Sequence, residues 1–222
     1  MDQRYLDLCE NVANWWIALG GDSHGRNMCD AMADLIGDGS YEGGVRLARD
    51  YNFADGGRRA MSFFGDPMFY QLRRCSAPIV LLHLGGNDLD METNRHWRSV
   101  VHDLLTLFVD LSRGGKIVYI VGLPFRHSRR FQDVRMMQDK IKLINRRLKR
   151  DIGTRFIALP PPCFDIRSFR RSWYKPLRNG RWFEERVHLL PYYYSMAADH
   201  VLFRLNMDLR NQLSPQADLW EE

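Results

Sequence analysis

The chain has 222 residues, of which 45% are hydrophobic and 12% aromatic, with a net charge of +5. That content fits a globular protein with an ordinary core, and no apolar stretch approaches the ~20 residues of a membrane-spanning helix. Cys9, Cys29, Cys75 and Cys163 are scattered without paired Cys-x-x-Cys spacing, which argues against a disulfide frame or a zinc site and for small core residues. The chain does not open with a charged segment, apolar core and small-residue cleavage site, so a cytoplasmic location is expected. No Pro/Gly/Ser-rich linker divides it. Residues 1–222 therefore read as one α/β domain, with 1–14 an extension before the first strand and 213–222 an acidic tail.

In chain order, Trp15 to Leu19 is a short apolar run of strand length, with the strand expected at Ile17–Leu19, and the spacing of Met28, Met32 and Leu35 predicts a helix over Arg26–Ile36. Ser23 falls at the turn between them. A hydroxyl there lies at the carboxyl edge of a sheet, beside the free N–H groups of a first helical turn. The plainer alternative is that Ser23 is only the helix N-cap. Further strands are expected at Val45–Tyr51, Ile79–Leu84, Lys116–Gly122 and Arg155–Leu159, and further helices at Arg58–Arg73, Arg95–Leu111, Gln132–Arg150 and Tyr192–Asn211. The continuous apolar run Ile79–Leu84 is typical of a strand buried on both faces. Met137, Ile141, Ile144 and Leu148 recur at helical spacing and make a core stripe. Alternating strands and helices predict a three-layer α/β/α sandwich around a mostly parallel sheet of about five strands, whose ligands bind beyond the strands' carboxyl ends.

Four segments follow one another in a chemically suggestive order: Gly21-Asp22-Ser23-His24, Asn52 to Gly57, Gly85-Gly86-Asn87-Asp88 and Glu185-Arg186-Val187-His188. Each alone has an ordinary explanation, as a turn, a loop after a strand, or an exposed histidine beside a solvated charge cluster. Together they supply a nucleophile, donors for an oxyanion and a base. An acyl carbon attacked by a hydroxyl becomes a tetrahedral oxyanion, and losing one fixed donor to it typically costs about 2.7–4 kcal/mol of barrier.

The arrangement resembles the SGNH (GDSL-type) hydrolase family, whose four blocks carry Ser, Gly, Asn and His in this order. The resemblance implies a flavodoxin-like fold, with Ser23 as nucleophile and His188 as base. It also implies an oxyanion hole made by the backbone N–H groups of Ser23 and Gly57 and the side-chain amide of Asn87, with Asp22, Gly86 and Asp88 in support. Gly57 matches the family's Asn-x-Gly-x-x-Gly spacing, with Ala54 where a glycine is common; Gly56 is the adjacent alternative. The implied substrate is a small-molecule or lipid ester, and the scheme requires no metal or organic cofactor. Two positions depart from the family. Glu185 stands where the triad acid is usually Asp, so either Glu185 orients His188 or a Ser-His dyad works with a backbone carbonyl. His24 stands where leucine is usual. Gly-Asp-Ser-His is similar to the first block of SGNH domains that resemble those of non-LTR retroelement first open reading frames; the Oskar-related domain is a similar one that lacks the catalytic residues. His24 reads as a first-turn surface residue, or alternatively as a hydrogen bonder on the substrate side.

Charge is uneven along the chain. From Arg126 to Arg186 there are 18 basic side chains against 6 acidic ones. Arg129, Arg130, Arg146, Arg147, Arg170, Arg171, Lys175 and Arg178 belong to this bias, with Phe169, Trp173, Tyr174 and Trp182 interleaved. Arginines beside aromatics suit single-stranded RNA and an anionic membrane surface about equally, or they form a merely solvated surface. The competing function is thus a weak or inactive module of the same fold that binds a polyanion. Oligomeric state is not legible in the sequence.

Overall fold

The computed structural model describes residues 15–37, 45–90, 93–124, 134–159 and 191–213. Five strands, β1 (Trp15–Gly21), β2 (Val45–Ala54), β3 (Ile79–His83), β4 (Ile117–Val121) and β5 (Phe156–Ile157), form one sheet in the order β2-β1-β3-β4-β5. All four pairings are parallel. This is the flavodoxin-like order, with β1 at the centre of the first three strands.

The helices are α1 (Ser23–Gly37), α2 (Ala60–Phe63), α3 (Pro67–Arg74), α4 (Trp97–Arg113), α5 (Val134–Ile152) and α6 (Pro191–Leu213). Strand side chains alternate between faces, and the two faces bury different helices. Ile17, Leu19, Ile79, Leu81, Tyr119 and Val121 pack on the side of α1 and α6. Ala18, Val80, Leu82, Val118 and Ile120 pack with residues of α2, α3, α4 and α5. Covered on both faces, β3 is buried at every position, as its unbroken apolar run predicts. The α5 stripe Met137, Ile141, Ile144 and Leu148 is buried as expected.

Several boundaries differ from the sequence reading. The helix expected over Arg58–Arg73 is two short helices, because Asp66 caps a new start by accepting the Met68 N–H at 2.8 Å and Pro67 occupies its first position. β2 continues to Ala54, with its register against β1 shifting between Ile17 and Leu19. β5 is confined to Phe156–Ile157 at the sheet edge. Beyond β4 the chain is held by Asn145 on α5, whose amide accepts the Leu123 N–H and donates to the Leu123 carbonyl, both at 2.9 Å. The 1–14 extension and most of the 213–222 tail lie outside the described residues.

β1 and β3 approach closely where β1 ends. A Cβ on Gly21 would lie 2.6 Å from the His83 carbonyl oxygen, which is backbone and cannot swing aside. Gly21→Ala is therefore expected to destabilise the fold by about 1–3 kcal/mol, the usual range for overpacking, as a lowered midpoint in chemical denaturation. An unchanged midpoint would show that the two strands can part there freely.

Candidate active site

The turn after β1 is a single residue. Asp22 donates its N–H to the His83 carbonyl at 3.1 Å, and its Oδ1 accepts the N–H groups of His24 and Gly25 at 3.0 and 3.4 Å. Those are the second and third positions of α1, so the N-cap is Asp22 and Ser23 is the first helical residue. The alternative that Ser23 serves as the cap is thereby answered: the capping acceptor is a carboxylate. Ser23 is 7% exposed, at the carboxyl edge of the sheet.

The second segment reaches the same edge through the β1–β2 ladder. The Asp55 N–H donates to the Gly21 carbonyl at 3.1 Å, one step beyond the last strand pair. Asn52 sits within β2, its side chain accepting the Ala54 N–H at 3.1 Å. The Gly56-Gly57 turn follows, exposed. Of the two glycines it is Gly57 that has a positive φ, at 76°, a conformation that favours glycine. Asp55 closes the turn with the Gly56 N–H at 2.7 Å, Arg58 at 3.0 Å and Arg26 at 3.3 Å. That N–H and the Arg58 guanidinium hold the Asp55 carboxyl below the usual carboxylate range. Its contribution to stability is present above about pH 4 and is lost as pH falls through the lowered value.

The third segment leaves β3 through Gly85, where φ is 109° and an added Cβ would meet Val100 at 2.9 Å. Gly86 precedes a turn of 3₁₀ helix over Asn87–Leu89. The Asn87 side-chain amide donates to the Arg58 carbonyl at 2.9 Å, joining the second and third segments. Asp88 is fully buried and accepts the Ala60 N–H at 2.7 Å and the Met61 N–H at 3.3 Å, capping α2 from another part of the chain. Its charge is met by Arg95 at 3.3 Å, which also bonds Asp103. Thr93 donates to the Asp88 carbonyl at 2.9 Å. Arg58, Thr93 and Arg95 do not stand out in the sequence. Nothing in the spacing of Arg95 and Asp88 pairs them, because the pairing depends on how the turn folds.

The sheet thus gathers Ser23, Gly57 and Asn87 at the carboxyl ends of three adjacent strands. Glu185 and His188 lie outside the described residues, as do Arg129, Arg130, Arg170, Arg171, Lys175 and Arg178. Arg146 and Arg147 are exposed on α5. The surface expectation for His24 is overturned: it is 3% exposed and its Nδ1 lies 2.8 Å from the Tyr194 hydroxyl of α6. His24, Met28 and Met32 follow at four-residue spacing on the stripe that faces α6, a signal already present in the sequence. Among the described residues no three His, Cys, Asp or Glu side chains cluster as metal ligands, and no helix is long and apolar enough to cross a membrane. Burial, with Asp30 adding to it, pushes the Cys29 thiol up to about 12, so it stays protonated as a core residue.

No protein-family model matches the sequence, and no curated protein does. Solved structures match it over most of its length. A lipase/acylhydrolase from Enterococcus faecalis is 14% identical, with a TM-score of 0.58 over 91% of this chain and 99% of that one. A lipolytic G-D-S-L family protein from Veillonella parvula is 18% identical, with a TM-score of 0.59 over 85% and 96%. A carbohydrate esterase family 3 protein from Talaromyces cellulolyticus is 13% identical, with a TM-score of 0.60 over 89% and 99%. The likeness is one of fold: this chain has the α/β fold of the SGNH hydrolases.

Removing the Asp88 carboxylate would leave two backbone donors and one face of Arg95 without their buried acceptor. Asp88→Ala is expected to cost about 3–5 kcal/mol, the usual loss on breaking a buried ion pair, with Asp88→Asn losing less because one acceptor remains. Equal stability of Asp88→Ala and wild type in denaturant titration would contradict this role.

Proposed function

We propose that the protein is a serine hydrolase of carboxylic esters, with Ser23 as nucleophile and His188 as base. The observation that carries this reading is the common edge of Ser23, Gly57 and Asn87, in a fold shared with esterases and acylhydrolases. Ser23 Oγ attacks the acyl carbon while His188 takes its proton. The oxyanion is met by the N–H groups of Ser23 and Gly57 and by the Asn87 amide, whose plane the Arg58 carbonyl fixes. His188 then protonates the leaving alcohol, and an acyl-enzyme remains. Water, deprotonated by His188, releases the acid and restores Ser23. Glu185, or a backbone carbonyl in its stead, orients the imidazole. The substrate class is a small-molecule or lipid ester, in line with the esterase and acylhydrolase names of the structural neighbours.

A second proposal concerns the basic half, as a surface for single-stranded RNA or anionic lipid. Arg146, Arg147, Lys149 and Arg150 are exposed in the last two turns of α5. That helix crosses from the carboxyl end of β4 to the amino end of β5, so its basic end lies at the edge opposite Ser23. Binding there would not obstruct catalysis.

Ser23→Ala is expected to abolish turnover of p-nitrophenyl acetate with an unchanged melting profile; full activity would overturn the assignment. Asn87→Ala should lower kcat by about a hundredfold to a thousandfold. Glu185→Gln slows turnover strongly in a triad and leaves it unaltered in a dyad. For the basic half, replacing Arg170, Arg171 and Lys175 by alanine should weaken single-stranded RNA binding and reduce its salt slope by roughly 0.7 for each phosphate no longer neutralised. Anisotropy without salt-dependent RNA association would end the RNA arm of that proposal.

A further inference from the structure

We propose that His24 and Tyr194 are positioning residues for the Ser23 nucleophile, joined by a buried hydrogen bond that fixes the first turn of α1 against α6. The inference rests on the esterase reading above. The two groups are 170 positions apart in sequence, 3% and 6% exposed, with Nδ1 and Oη 2.8 Å apart and ring centroids 6.0 Å apart. On its other side His24 meets the His83 ring edge-on at 6.2 Å, and His83 Nδ1 lies 3.3 Å from the Val121 carbonyl. A run of three polar rings therefore passes from α6, beside the residue that follows Ser23, to the carboxyl ends of β3 and β4.

Burying an imidazole or a phenol without a hydrogen bond costs a few kcal/mol, so this contact holds a direction as well as a volume. Apolar packing alone would tolerate a small rotation of α1 about its axis. The Tyr194–His24 bond does not, because such a rotation separates Nδ1 from the hydroxyl. The same rotation would swing Ser23 Oγ, the side chain one residue earlier, away from the edge it shares with Gly57 and Asn87. The other end of the link also bears on catalysis. α6 begins at Pro191, three residues after His188 in the sequence. One bond thus ties the nucleophile's turn to the helix to which the proposed base is tethered.

The experiment is steady-state hydrolysis of p-nitrophenyl acetate by wild type, Tyr194→Phe, His24→Leu, the double variant and His24→Asn, with melting followed in parallel. Misplacement of Ser23 by loss of one hydrogen bond should lower kcat about tenfold in Tyr194→Phe and in His24→Leu, with KM within about twofold of wild type. The double variant should be no slower than either single one, because both remove the same bond. The Asn side chain offers a polar atom where Nδ1 stood, so His24→Asn should recover most of the missing kcat. Wild-type kcat in Tyr194→Phe and His24→Leu with only a lowered melting temperature would reduce the pair to a structural contact and overturn the proposal. Multiplicative losses in the double variant would do so too. A folded wild type without Ser23-dependent turnover would instead remove the esterase reading and this inference with it.

Discussion

Everything at the candidate site depends on β1 ending flush between β2 and β3. Two backbone bonds carry the parallel ladder one step past the strands: the Asp55 N–H to the Gly21 carbonyl, and the Asp22 N–H to the His83 carbonyl. On the β3 side the chains come closer at Gly21 than a side chain would allow, since an added Cβ would lie 2.6 Å from the His83 carbonyl oxygen. Because the strands are parallel, all three loops then leave in one direction from one level. A shift of one strand by a residue would turn its side chains to the other face and carry its loop out of reach.

Beyond the ladder, backbone N–H groups still need acceptors, and two aspartates provide them. Asp22 serves the first turn of α1, and Asp88 serves the start of α2. Asp88 carries its charge into a site closed to solvent, which Arg95 and the two N–H donors offset. With the Asp22 carboxylate as cap, the capping role at this turn does not fall to the Ser23 hydroxyl. The Asn87 amide is handled differently: one of its donors is committed to Arg58, and that commitment fixes the direction of the other.

The strands and the parallel α/β class are legible because buried strands leave continuous apolar runs, as in Ile79 to Leu82. The start of α1 lies three residues earlier than its periodicity suggests, because the apolar period begins only at Met28 while the cap is a polar residue. The break between α2 and α3 is legible in Gly65-Asp66-Pro67, a turn, a cap and a first-position proline in sequence. The polarity of His24 points to the surface, although its spacing from Met28 and Met32 puts it on the buried stripe. Its partner Tyr194 is out of reach from sequence, since only the docking of α6 on α1 brings together residues so far apart. The Asp88–Arg95 pair and the Asn87–Arg58 bond share that character: loop conformation creates them, and no periodicity announces it. The four segments themselves are recognisable because chemistry fixes residue types at short spacing, whatever the surrounding sequence does.

The central claim is that Ser23 is an activated nucleophile at this edge, in a fold held in common with esterases. Its most direct test is covalent labelling of the folded protein by a fluorophosphonate, followed by peptide mapping of the adduct. A single stoichiometric adduct on Ser23 is expected, formed many times faster than on a free serine, slowed about a hundredfold or more by Asn87→Ala and abolished by Ser23→Ala. A folded protein that takes up no label, or that carries it on a different serine, would contradict it.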